Sequence, residues 1–148
     1  MKGDTPHQHR VLAHRYHDIS MGHRVAGHES KCASLHGHNY RIHFFVEGEK
    51  LDAVGRVVDF SVIKDRLCNW LEEFWDHKFM VFVNDPYLDQ LKELPGVWLV
   101  PFNPTAENMA AHLVENIGPY VLAGTGVRLV KVEIEETRKC SASYELKD

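Results

Sequence analysis

The sequence predicts an α+β fold in which a four-stranded antiparallel sheet carries two helices on one face. Strand-like alternation occurs near both ends of the chain, and two helix-like apolar stripes lie between. Strands that follow one another, rather than alternating with helices, are typical of this class. A length of 148 residues, 44% of them hydrophobic, suits one domain with its own core. We expect a single domain over 1–148, with 1–10 as a flexible or weakly ordered extension.

The first two strands are predicted to form a hairpin with a long loop. Val11, Tyr16 and Ile19 give residues 10–22 a strand-like content, and 25–35 has the composition of a loop. The next segment, 36–46, alternates cleanly, so its even-numbered residues share one face of the sheet. These residues are His36, His38, Tyr40, Ile42, Phe44 and Val46.

Two helices are predicted to follow the hairpin. The first begins after Asp59, whose side chain can cap it. Its apolar stripe recurs at three- and four-residue steps through Phe60, Ile63, Leu67, Trp70 and Phe74. The second helix begins at 103–105 with Pro104 in its first turn, and Gly118-Pro119 is expected to break it early.

The remaining strands are predicted near the end of the chain. Val130, Val132 and Ile134 alternate with charged residues, and a last strand is expected at 142–146. No strand is predicted for the short apolar segments 79–83 and 97–100. The sheet face away from the helices, if it is apolar, would need a partner subunit to cover it.

Composition excludes several classes of function. A net charge of −4 argues against a protein whose main task is to bind nucleic acid. The longest apolar run has five residues, at 79–83, whereas a membrane helix needs roughly 18. Residues 1–10 are polar and lack the apolar centre of a signal peptide. Three scattered cysteines do not form a disulfide framework, and their odd number suits a reducing cytoplasm.

Histidine is the outlier in the composition. There are 11 histidines, eight of them within the first 38 residues. His36 and His38 are two apart in a strand, so both side chains point to one face and can ligate one metal ion. His23 ends the first strand, and the hairpin brings it beside them. Three histidines without a fourth protein ligand suggest a catalytic zinc site with an open position, although His28 competes as a ligand.

Cys32 lies four residues before His36, in the loop expected to cover the metal. A thiol near a metal and imidazoles has a lowered pKa and can act as a nucleophile or base. Alternatively, Cys32 is itself a fourth zinc ligand. That would give a closed structural site in a non-enzymatic binding module, with no room for substrate.

Three carboxylates are further candidates. Asp76 precedes His77 at the end of the first helix, and such a pair can relay protons or simply complete a polar helix end. Glu136 ends the apolar row of a strand. There it can accept the two parallel N–H groups of a pterin or guanine ring, unless it lies beyond the strand in solvent. Glu107 can complement the dipole of the second helix.

These motifs occur in one order that resembles the 6-pyruvoyltetrahydropterin synthase/QueD family. The resemblance covers about residues 17–144 and depends on six motifs with compatible spacing. They are His23, Cys-Ala-Ser-Leu-His-Gly-His at 32–38, Val-Asp-Phe at 58–60, Asp-His at 76–77, Pro-Thr-Ala-Glu-Asn at 104–108 and Glu-Thr at 136–137.

The resemblance implies a T-fold of ββααββ order and an assembly of several copies. Members form trimers whose sheets build a barrel, often paired into hexamers, with active sites between subunits. It implies Zn²⁺ as cofactor and a small-molecule pterin as substrate. The implied roles are zinc ligation by His23, His36 and His38; proton transfer by Cys32, Asp76 and His77, the last two from a neighbouring subunit; and pterin anchoring by Glu136, helped by Thr105 and Glu107.

The spacing Cys-x-x-x-His-Gly-His favours the 6-carboxytetrahydropterin synthase branch, which acts in queuosine biosynthesis. The implied reaction turns 7,8-dihydroneopterin triphosphate into 6-carboxytetrahydropterin, acetaldehyde and triphosphate. The alternative is a 6-pyruvoyltetrahydropterin synthase, which eliminates triphosphate without cleaving a C–C bond. Gly22 departs from the alanine usual in the family. Candidate cations for the triphosphate are Arg24, Lys31 and Arg138.

Overall fold

The structure is a computed structural model, and it describes residues 10–27 and 33–147. The predicted catalytic Cys32 lies outside the described residues, as do the competing ligand His28 and the candidate cation Lys31. The proposed extension lies outside them up to residue 9.

The strands form one six-stranded sheet in the order β4-β3-β1-β2-β5-β6. Its strands are β1 (Ala13–His23), β2 (His36–Gly48), β3 (Phe79–Phe82), β4 (Val97–Val100), β5 (Val127–Glu135) and β6 (Ser141–Glu145). The pairs β1–β2, β2–β5 and β5–β6 are antiparallel, so the four predicted strands and the hairpin are confirmed. The expected number of strands was too low, because β3 and β4 extend the sheet in parallel beyond β1.

Two long helices and one short helix complete the described structure. Helix α1 covers 60–74, α2 is Leu88–Leu91, and α3 covers 106–121. One π-helical turn interrupts α1 at Lys64–Cys68, and another interrupts α3 at Leu113–Ile117. Within the described residues, no helix has the length and apolar content of a membrane span.

The helix starts follow their capping side chains. Asp59 caps α1 by accepting a hydrogen bond from Ser61 N–H, as predicted. Thr105 caps α3 by accepting from Asn108 N–H. The placement of Pro104 in the first helical turn was wrong, because the cap is Thr105 and the helix begins at Ala106.

The expected break at Gly118-Pro119 was also wrong, since α3 continues to Val121. The π-helical turn before it changes the hydrogen-bond register just before Pro119. Gly118 is needed here for packing. A Cβ at this position would lie 2.8 Å from the Leu129 Cβ, so only glycine lets α3 approach β5 this closely.

The two faces of the sheet differ in what covers them. The inner face, which includes the predicted even-numbered row of β2, packs against α1 and α3. Tyr40, Ile42, Phe44 and Val46 are fully buried there, which confirms the alternation. The outer face is not covered by the described part of the chain. It carries polar and aromatic side chains from β1, β2 and β5: His14, Tyr16, Asp18, Arg41, His43, Phe45 and Glu135.

Candidate metal centre and its surroundings

Three histidines meet on the inner face, at the loop end of the β1–β2 hairpin. His23 is the cross-strand partner of His36, and His38 pairs with Met21 on the same face. The ligand nitrogens of the three imidazoles all lie within 4.8 Å of one another, and their ring centroids are 4.5–5.2 Å apart. This cluster can hold a metal ion, and the hairpin register alone assembles it from two distant sequence segments.

Backbone carbonyls orient two of the three imidazoles. His23 Nδ1 lies 2.7 Å from the Pro104 carbonyl oxygen, and His36 Nδ1 lies 2.7 Å from the Ser34 carbonyl oxygen. Because a carbonyl only accepts, each Nδ1 carries the proton and each Nε2 presents a lone pair. His23 Nε2 is buried and has no hydrogen bond within the described structure. A metal ion would fill this need, so the residues present fit one.

The surroundings of His23 and His38 favour neutral imidazoles at these two positions. Burial lowers the pKa of His23. It also lowers the pKa of His38, which is less deeply buried. His36 lowers both pKa values further, and His38 lowers that of His23. The hydrogen bond to the Pro104 carbonyl opposes the effect at His23, and the Glu136 carboxylate opposes it at both residues. Metal ions bind the neutral form of imidazole, so the site disfavours protonation that would compete with a metal.

Glu136 lies beside the histidines. Strand β5 ends at Glu135, and Glu136 continues the inner-face row just beyond it. Its Oε1 atom is 3.4 Å from His23 Nε2 and 3.7 Å from His38 Nε2, and the side chain is partly buried. The carboxylate therefore faces the nitrogens that would ligate a metal, rather than lying apart in solvent.

Tyr40 is a neighbour of this cluster that sequence reasoning assigned only to the core row. It is fully buried, and its ring centroid lies 5.4 Å from that of His38 and 5.9 Å from that of His23. Burial raises the pKa of its hydroxyl well above the ordinary value, and the nearby Glu136 charge raises it further. The sequence did contain a signal for this contact: Tyr40 is two residues after His38 in the same strand, so both side chains lie on one face.

Asp76 and His77 form a hydrogen-bonded pair in the turn after α1. Asp76 Oδ2 lies 2.8 Å from His77 Nδ1, and Asp76 Oδ1 accepts a 2.9 Å hydrogen bond from Ser20 N–H. The His77 N–H donates to the Ser20 carbonyl, at 2.7 Å, which holds His77 at a positive φ of 60°. The His77 side chain is 79% exposed. Strand β1 therefore fixes the pair while leaving the imidazole accessible.

The charge of Asp76 is maintained by its partners. Partial burial acts to raise the pKa of Asp76, but the hydrogen bond from Ser20 and the contact with His77 outweigh it. The pKa of this carboxyl therefore lies below its usual value, and the carboxylate can orient the His77 ring.

The Asp76–His77 pair opens into a cleft on the outer side of the sheet. The cleft has a volume of about 580 Å³, and its charged or titratable lining residues are Asp18, Arg41, Asp76, His77, Glu135 and Arg138. Among the residues described, no hydrogen bond or ion pair joins this pair to the three histidines or to Glu136. One chain thus brings the histidines and Glu136 together, whereas His77 shares only the lining of a second cleft with His38 and makes no described hydrogen bond or ion pair with the cluster.

The other predicted site residues differ in their distance from the histidines. Thr105 caps α3 and directly follows Pro104. Because the Pro104 carbonyl orients His23, Thr105 is next in the chain to a residue that contacts the cluster. Glu107 is exposed in the first turn of α3, and no described contact links it to the cluster.

The two candidate cations within the described residues differ in their surroundings. Arg24 is buried and makes two 2.6 Å hydrogen bonds to the Asp85 carboxylate, so its charge is already engaged. Arg138 is exposed and lines the outer cleft with His77.

Fold and site together define a class: an α+β protein with a three-histidine cluster at the loop end of a hairpin and a hydrogen-bonded aspartate–histidine pair nearby. Residues 13–147 match the model of the 6-pyruvoyl tetrahydropterin synthase family. The chain belongs to this family.

Curated relatives carry a more specific name. The 6-carboxy-5,6,7,8-tetrahydropterin synthase of Rickettsia felis is 34% identical over 126 residues, which cover 83% of this chain and 91% of that protein. The protein of the same name from Aquifex aeolicus is 34% identical over 125 residues, covering 78% and 76% of the two chains.

Solved structures agree on the fold. The 6-pyruvoyl tetrahydropterin synthase of Caenorhabditis elegans superimposes with a TM-score of 0.65 at 26% identity, covering 93% of this chain and 96% of that one. An uncharacterized protein from Wolinella succinogenes reaches a TM-score of 0.81 at 23% identity, covering 93% and 98% of the two chains. These likenesses confirm the predicted T-fold class.

Proposed function

We propose that the protein is an enzyme that converts 7,8-dihydroneopterin triphosphate and one water into 6-carboxytetrahydropterin, acetaldehyde and triphosphate. The observation that carries this proposal is the 34% identity, over 83% of the chain, to a relative named for the 6-carboxy product. Membership of the tetrahydropterin synthase family supports a pterin substrate. The reaction is an internal redox change, in which the pterin ring is reduced while the side-chain carbon attached to it becomes a carboxylate.

The proposed metal is Zn²⁺, held by His23, His36 and His38. Three imidazoles whose ligand nitrogens lie within 4.8 Å of one another, one nitrogen being buried without a hydrogen bond within the described structure, match the ligand set that catalytic zinc sites use. When bound, zinc would act as a Lewis acid on the side-chain hydroxyls of the substrate.

The proposed proton transfers use three side chains. Cys32 as thiolate would remove or return a proton of the substrate side chain. His77, oriented by Asp76 at 2.8 Å, would make the partner transfer. Because the described chain does not connect His77 to the histidine cluster, we propose that His77 acts on the site of a neighbouring copy. This favours a trimer, or a dimer of trimers, with sites between subunits.

Glu136 is the proposed anchor of the pterin ring, helped by Thr105 and Glu107. A carboxylate accepts two parallel N–H bonds from such a ring, and Glu136 lies beside the proposed metal. For the triphosphate, Arg138 is favoured over Arg24, because Arg24 is buried against Asp85 whereas Arg138 lies in the cleft with His77.

Mass spectrometry of the products tests the function. Zinc-loaded protein incubated with 7,8-dihydroneopterin triphosphate should yield 6-carboxytetrahydropterin and acetaldehyde in equal amounts. A 6-pyruvoyl product would instead assign triphosphate elimination without C–C cleavage. Unchanged substrate, with zinc bound and the protein folded, would refute an enzymatic role on this pterin and favour a zinc-stabilised binding module.

A further inference from the structure

Tyr40 and Glu136 face each other across neighbouring strands. In the β2–β5 register, Ile42 pairs with Ile134 and Arg41 with Glu135. The next position in this antiparallel register sets Tyr40 opposite Glu136, and both belong to the inner face. Side chains at directly opposed positions have Cβ atoms about 4.5–5.5 Å apart, so these two groups can interact.

The Tyr40 hydroxyl lacks a fixed partner. The side chain is fully buried, and the hydroxyl makes no hydrogen bond of good geometry within the described part of the chain. A buried hydroxyl without a partner is costly, so a folded protein normally supplies an acceptor. The facing carboxylate of Glu136 lies close enough to the hydroxyl to serve as its acceptor.

A metal ion at the three histidines would compete with Tyr40 for the Glu136 carboxylate. Its Oε1 lies 3.4 Å and 3.7 Å from the Nε2 atoms of His23 and His38. A zinc ion bonded to these nitrogens at about 2.0–2.1 Å would lie within easy reach of the same carboxylate. If Glu136 became a fourth protein ligand, the metal would lose its open position and the pterin ring would lose its proposed acceptor.

We propose that Tyr40 is a positioning residue for Glu136. Its hydroxyl donates a hydrogen bond to the carboxylate, holds it out of the open coordination position of the metal, and orients it to accept the N–H groups of the ring. The effect on the metal follows from the geometry of this chain, whereas the effect on the ring rests on the proposed function.

Substitution Y40F tests this by removing the hydroxyl alone. Cobalt(II) is loaded in place of zinc, and azide is titrated against the visible absorption of the cobalt. In the unaltered protein azide should take the open position. In Y40F the released carboxylate competes, so the azide Kd should rise at least tenfold. The double variant Y40F/E136Q should restore the azide Kd, because a neutral amide is a poor competitor for the metal.

The matched control is Y144F, which removes another tyrosine–glutamate hydrogen bond, that of Tyr144 to Glu115. It should leave the azide Kd unchanged. An unaltered azide Kd in folded Y40F would overturn the proposal. Should Y40F not fold, a crystal structure of the zinc-loaded unaltered protein decides instead: Glu136 bonded to Tyr40 supports the proposal, and Glu136 bonded to zinc overturns it.

The substrate arm separates this inference from the proposed function. With 7,8-dihydroneopterin triphosphate, Y40F should raise KM at least tenfold and change kcat less, because the ring is held less well. If the unaltered protein yields no tetrahydropterin product, the proposed function fails. The azide titration, which needs no pterin, still decides whether Tyr40 holds Glu136 away from the metal.

Discussion

Histidines gather on both faces of the same sheet, and the two groups differ in how their nitrogens are satisfied. On the inner face, His23, His36 and His38 direct their ligand atoms toward one another, and the buried Nε2 of His23 has no hydrogen bond to any described residue. On the outer face, His14 Nε2 and His43 Nδ1 share a 2.8 Å hydrogen bond. Both groups come from β1 and β2, so strand membership alone does not distinguish them.

The outer group is completed by ordinary surface partners. His43 Nε2 lies 2.5 Å from Glu135 Oε2, and the His14 ring stacks on Phe45 with centroids 4.5 Å apart. These contacts occupy both ring nitrogens of His43, the Nε2 atom of His14 and one face of the His14 ring. A buried nitrogen without a hydrogen bond therefore marks a candidate site, whereas a high density of histidine does not.

The largest expected effect is a difference in zinc content between variants of the inner-face and the outer-face histidines. Substitution H36A removes one of three ligands and should abolish stoichiometric zinc, with complete loss of turnover, because two imidazoles hold zinc weakly. Metal analysis by mass spectrometry after dialysis measures this directly. The matched control, H43A, removes an outer-face histidine of the same strand and should retain one zinc per chain. Retained zinc in H36A would place the metal elsewhere, with His28 as the first residue to test.

The next effect concerns the Asp76–His77 pair, which lies toward the outer side without being a metal site. Substitution H77A should lower turnover by about 10²–10⁴-fold while zinc stays bound, since proton transfer is lost and the ligands remain. The control H14A should have near-normal turnover. Mixing H77A with H36A chains sharpens the test. If His77 serves a neighbouring site, hybrid oligomers should regain activity, and an absence of any regain would place both functions within one chain.

A comparable effect is expected at Cys32, whose role stays a prediction. Substitution C32A should retain zinc and lose most turnover, on the order of 10²-fold or more, if the thiolate transfers a proton. The control C140A alters an exposed thiol and should change little. Loss of zinc in C32A would show that the thiol is a metal ligand, and undiminished turnover would remove it from the mechanism.

The inner site was predictable because it depends on strand periodicity. Side chains in a strand alternate between its two faces, so His36 and His38 lie on one face. Pairing of the two hairpin strands places His23 beside them. These rules are local, so one sequence sufficed. The helix stripes and the Asp59 cap were predictable for the same reason.

What escaped prediction depends on contacts between distant segments. Strands β3 and β4 have four residues each, too few to show a period, and they exist because β1 offers a free edge for parallel pairing. The continuation of α3 through Gly118 depends on close packing against Leu129. Similarly, the engagement of Arg24 by Asp85, 61 residues later, carries no local signal.

The smallest expected effect tests whether the outer histidines interact as described. Slight desolvation against its neighbours is the main cause that lowers the pKa of the exposed His14, the charge of His43 lowers it further, and Glu133 opposes both. Substitution H43Q removes the charge of His43 together with its ring, so the pKa of His14 should rise toward its ordinary value. Proton NMR titration of the histidine resonances measures the shift.

The sign of the linked stability change follows from the direction of that shift. Where a histidine has a lower pKa in the folded protein than in the unfolded chain, the free energy of unfolding is undiminished at a pH above the unfolded pKa. That stability falls as the pH drops through this range, because the unfolded chain binds the proton more readily. H43Q should therefore soften the loss of stability between neutral and mildly acidic pH, by a small amount because His14 is exposed. An unchanged His14 pKa in H43Q would mean that the two rings do not interact, and the contrast between the faces would then depend on burial alone.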